Sequence, residues 1–115
     1  MDMTPECLNA LHDRAMDLAD RADVATKKER YDEAHLFYAR AFRLERKVAL
    51  ATEVEPSRSV MLYSAACLAV NAERFISANT LIHEALRGRP DKETYDGLVS
   101  LLEDMDDLVI GAAKN

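Results

Sequence analysis

From Leu8 onward the apolar residues Leu8, Leu11, Ala15, Leu18, Ala22 and Ala25 recur at steps of three and four, with polar and charged residues between them. That period lays one apolar stripe along a helix, which the pattern predicts from about residue 5 to residue 27. Thr4 stands where an N-cap belongs, Pro5 in the first helical position, and Glu6 as a first-turn acid. After a polar break at 27–30, Ala34, Phe37, Tyr38, Ala41 and Val48 predict a second helix, 31–52. It ends before Pro56, which pushes Glu55 out of the helical region. Leu62, Ala65, Ala66 and Ala69 mark a third helix from Pro56-Ser57 to about Ala72. Phe75, Ala78, Leu81, Ile82, Ala85 and Leu86 mark a fourth, closed by Gly88 with Pro90 beyond it as a stop pair. Asp91 is placed to cap a fifth, which carries Tyr95, Leu98, Leu102, Met105 and Val109 to about residue 110. Gly97 inside it costs about 1 kcal/mol relative to Ala, so its stripe must be well packed. The tail from Gly111 is expected to fray.

Laid over itself at a shift of 44, the chain matches between 15–42 and 59–86. Leu18 falls on Leu62, Ala22 on Ala66, Ala25 on Ala69, Ala34 on Ala78, Ala41 on Ala85, and the turn KERY on AERF. Two unrelated amphipathic helices would share some alanines, but they would not share the turn as well. The pattern is a repeated helix-turn-helix unit. Small residues at fixed points let antiparallel helices approach closely, and the aromatic after each turn is placed to fill the wedge beside the pair.

ERFISANTLIHEALRGRP resembles the second helix of the tetratricopeptide repeat, through Phe75, Ala78, Ile82, Ala85 and Pro90 at the family's spacing. Leu62, Ala66 and Ala69 resemble its first helix, and ERYDEAHLFYARAF matches through Tyr31, Ala34, Tyr38 and Ala41. EPSRSVMLYSAACLAV is also similar to a segment of small bacterial tetratricopeptide-like proteins of unassigned function. The resemblance implies an all-α fold of five helices in a right-handed superhelical stack. Repeat one would span 5–54, repeat two 56–89, and a capping helix 91–110. The shift exceeds the family's repeat length by about ten residues, from Arg46 to Glu55, most simply as extra turns on the second helix. The N-terminal half alone also resembles the three-helix microtubule-interacting-and-trafficking domain, a pattern that leaves the second copy unexplained.

In the family the first helix of each unit faces a concave surface that binds an extended peptide or a helix. The resemblance places Met16, Asp20, Asp23 and Lys27 on that face in unit one, and Val60, Tyr63, Ser64, Cys67 and Asn71 in unit two. Val60, Tyr63, Cys67 and Val70 form a second apolar stripe beside the core stripe, so this helix needs a second neighbour: a partner chain, a dimer mate or helix five. Members that clamp a carboxylate-ended tail use Lys and Asn here, but Ala19, Asp23 and Ser64 hold the corresponding places. The expected function is a non-enzymatic adaptor for a protein or peptide. A structural homodimer is the alternative, and a helical metal protein or enzyme a remoter one.

Composition narrows the chemistry. The chain has 3 Gly and 3 Pro against 18 Ala and 14 Leu, a helix-forming balance that leaves little for the tight turns of an all-β fold or for Gly-rich phosphate cradles. Its formal charge of −6 disfavours a general nucleic-acid partner. No apolar run approaches the ~20 residues of a membrane span, and the N-terminus lacks the basic flank and apolar run of a secretory signal. A cytoplasmic protein with two reduced thiols, Cys7 and Cys67, is expected. His12 beside Asp13, His35 near Asp32 and His83 beside Glu84 are local pairs without the spacing of a metal site, so no metal, cofactor or catalytic group is expected. Arg40, Arg43 and Lys47 share one side of the second helix, either as a solvated face or as a docking strip for an acidic segment. Glu103, Asp104, Asp106 and Asp107 form an acidic face on the fifth, able to pair with that strip in a neighbouring subunit.

Overall fold

A computed structural model describes residues 3–114, with side chains described through Leu108. The chain is all-α, in five helices: α1 (Pro5–Lys27), α2 (Tyr31–Ala51), α3 (Ser57–Asn71), α4 (Phe75–Arg87) and α5 (Lys92–Lys114). Each packs against the next, and α5 also packs against α3. Thr4 caps α1, its hydroxyl oxygen accepting from the Cys7 N–H at 3.2 Å. Asp91 caps α5, its Oδ1 accepting from the Thr94 N–H at 2.7 Å. The extra residues of unit one do lengthen its second helix: α2 has 21 residues and α4 has 13. Val48 and Ala49 on the added turns are buried.

The turns of the two units match in the backbone. In both hairpins the residue after the C-cap takes the left-handed conformation, Glu29 at φ 60° and Glu73 at φ 58°. The Glu29 N–H donates to Thr26 O at 3.0 Å and the Arg30 N–H to Ala25 O at 2.8 Å. At the shift of 44, Glu73 donates to Val70 at 2.9 Å and Arg74 to Ala69 at 2.8 Å. This is the paired six-to-one and five-to-two bonding that satisfies the last carbonyls of a helix. Above the turns, Ala22 and Ala66, Ala41 and Ala85, and Ala78 are fully buried, and Ala34 is nearly so. They are the close-contact positions of the two hairpins.

One expectation is corrected. Phe75 packs against the core, but Tyr31 is 60 % exposed, so the aromatic after the turn fills the wedge in the second unit alone. Gly88 closes α4 as expected. A Cβ there would lie 2.8 Å from Glu55 Oε2, so the Glu55 carboxylate would have to shift. The backbone of 111–114 continues α5. Asn115 and the Val109 side chain lie outside the described residues. Among the described residues no helix is long and apolar enough to cross a membrane.

Candidate functional site

The inner-face positions lie on α1 and α3, whose separation is set by a polar group that the sequence reading did not single out. Glu45 sits on the apolar stripe of α2 between Ala41 and Val48, and its side chain is completely buried. Its oxygens meet His12 Nδ1 from α1 at 2.9 and 3.0 Å. Ser64 Oγ, from α3, donates to Oε2 at 2.6 Å. A buried carboxylate is tolerated only where such partners replace water. One side chain therefore ties three helices in one register. His12 and Ser64 both bind the carboxylate rather than each other, so the group is no nucleophile–base relay of the kind in which the imidazole must reach the hydroxyl. A charged residue on an otherwise apolar stripe was the available signal, but its partners stand 33 and 19 residues away.

Ser64 thus turns its hydroxyl toward α2, on one side of α3. Tyr63 turns to the other side and meets α5. A Cβ on Gly97 would fall 2.8 Å from Tyr63 Cζ and 2.9 Å from its oxygen, so the ring lies flush on the glycine backbone. For Tyr63 the second neighbour of α3 is therefore helix five. Between these two sides Val60 (41 % exposed) and Asn71 remain at the surface, with Cys67 half-buried between them. Burial, with some relief from the neighbouring Tyr63 hydroxyl, raises the Cys67 pKa, which keeps the thiol protonated and weakly nucleophilic. The charge and hydrogen bonding of Cys67, together with burial, raise the Tyr63 pKa.

On α1, Met16 is half-buried against the core, while Asp20 and Lys27 are exposed. Asp23 accepts a short hydrogen bond from the Tyr38 hydroxyl of α2, and burial and this carboxylate together raise the Tyr38 pKa. Asp20 also borders a hollow of about 390 Å³ between α1 and α2 that includes Val24, Lys28, Arg30 and Phe37. The predicted face is thus one continuous surface only on α3. Of the α1 positions, Asp20 and Lys27 are the two left both exposed and unbound.

Arg40, Arg43 and Lys47 are all exposed on α2. The three histidines are scattered: His12 pairs with Glu45 rather than Asp13, His35 lies 3.7 Å from Glu73, and His83 is exposed. Among the described residues no three His, Cys, Asp or Glu side chains gather as a metal site. The arrangement defines an all-α chain of two matched hairpins and a closing helix. No family model, curated protein or solved structure matches it.

Proposed function

We propose that the chain is a tetratricopeptide-like adaptor that binds a segment of a protein partner along α3 and carries out no chemical step. The supporting observation is the strip Val60–Cys67–Asn71. It stays open after α5 has covered Tyr63 and after Glu45 has taken Ser64, so the helix keeps one accessible apolar-to-polar edge in a fixed setting. The ligand that fits is a segment with at least one apolar side chain for Val60. The matched turns support the family reading, because they close both hairpins in the same way. The cytoplasm is the compartment this reading places it in, with both thiols free.

Quantitative affinity capture from the native cell with wild type, Val60→Arg and Asn71→Arg tests the proposal. Both sites are exposed, so the variants keep the fold. Loss of the same protein from both variants, at least tenfold, is expected. Equal recovery from wild type and variants overturns it.

A further inference from the structure

Between residues 40 and 47 the only carboxylate is Glu45, and it is turned into the core. The outward side of this stretch therefore presents Arg40, Arg43, Arg46 and Lys47 with no acid among them, on a chain whose formal charge is −6. None of the four has an ion pair among the described residues. Arg46 instead lies over the Phe42 ring, 5.8 Å from its centre. Beside it a groove of about 320 Å³ runs between α2 and α4, lined by Arg46, Leu50, Ile76, Ser77, Thr80 and Leu81. Ile76 is 88 % and Leu50 61 % exposed, unusually open for large aliphatic side chains set together.

The charge complement of this groove is on the same chain. From residue 93 to residue 113 there is no Lys or Arg, and Glu103, Asp104, Asp106 and Asp107 are exposed on α5. They too have no ion pair among the described residues. Leu108, 52 % exposed, follows them. We propose that the α2–α4 groove docks α5 of a second copy. Arg43, Arg46 and Lys47 pair with the acids at 103–107, and Leu108 enters beside Leu50 and Ile76. The two surfaces are different patches, and each copy offers one of each. Association either closes as a reciprocal pair, with each copy's α5 in the other's groove, or continues into rings or chains. It leaves the α3 strip open, so an assembly presents several strips at once, and bivalent partners gain from the high effective concentration.

Sedimentation velocity of the full chain over a concentration series, at about 0.05 and about 0.5 M salt, tests this, because the Debye length falls severalfold between them. Dimers or larger species should grow with concentration at low salt and dissociate at high salt. Arg43→Gln/Lys47→Gln and Asp104→Asn/Asp107→Asn should each be monomeric with unchanged helical circular dichroism. Mixed together they should give one-to-one pairs and nothing larger, since one intact groove then meets one intact α5. A wild-type monomer at low salt overturns the proposal, as does a salt-resistant closed dimer. Uptake of a synthetic acidic peptide by a chain that stays monomeric also overturns it, and would assign the groove to a foreign acidic segment.

Discussion

Single residues hold this molecule together in ways that residue type alone does not reveal. Gly97 in a helix reads as a cost of about 1 kcal/mol, and replacement by Ala should recover it. The Tyr63 ring occupies the space of that Cβ. Gly97→Ala should therefore destabilise, by about 1 kcal/mol net of the propensity gain, because overpacking costs about 1–3 kcal/mol. In a Tyr63→Leu background the sign should reverse, which urea denaturation of the four proteins measures; Ala stabilising in both backgrounds sinks the packing argument. The turn glutamates make the opposite case. Glu29 and Glu73 bear a left-handed backbone that costs an L-residue about 1–2 kcal/mol, against roughly 0.5–1 kcal/mol for the extra freedom of an unfolded glycine. Glu29→Gly and Glu73→Gly should each stabilise by about 0.5 kcal/mol. Ala72→Gly, one residue earlier at φ −85°, should destabilise. The ion pair of Glu73 with His35, exposed and 3.7 Å long, is too weak to change that sign.

At the level of elements, period and punctuation were enough to place all five helices, because capping chemistry and apolar stripes are local in the chain. What stayed hidden were the ties between elements, whose partners lie far apart in sequence. Glu45 is one. Glu55 is another: its carboxylate accepts from the Ser59 N–H at 2.9 Å and Ser59 Oγ at 2.6 Å, and also from the Arg89 N–H across the molecule. It thereby caps α3 and holds the connection between α4 and α5. Burial pushes its pKa up, but the bonds from Ser59 and Arg89 and the charge of Arg58 outweigh this and leave it lowered. A carboxylate with a lowered folded pKa contributes stability above its ordinary value of 4.5 and loses it as pH falls through the folded value. Asp91, bound by Thr94, acts in the same direction. Urea midpoints should decline below about pH 4.5 in wild type. Glu55→Gln should be less stable at neutral pH by about 1 kcal/mol and show a flatter acid limb. An unchanged acid limb would remove Glu55 as its source.

As a whole the molecule is elongated, 43 × 27 × 23 Å, with its alanine-lined contacts inside and a basic strip on α2 sorted from an acidic run on α5. The repeat was legible as an alignment. The sorting was only half legible, because the basic strip depends on Glu45 facing inward and the groove depends on how far α4 leaves Ile76 uncovered. The tyrosines also make the fold observable without labels. The chain has no tryptophan and four tyrosines. Tyr38 is bonded to a carboxylate and Tyr63 lies against a thiol, both groups that quench phenol emission, whereas Tyr31 and Tyr95 are exposed. Intrinsic fluorescence is thus a built-in optical gauge with two local channels, one at the α1–α2 hairpin and one at the seat of α5 on α3.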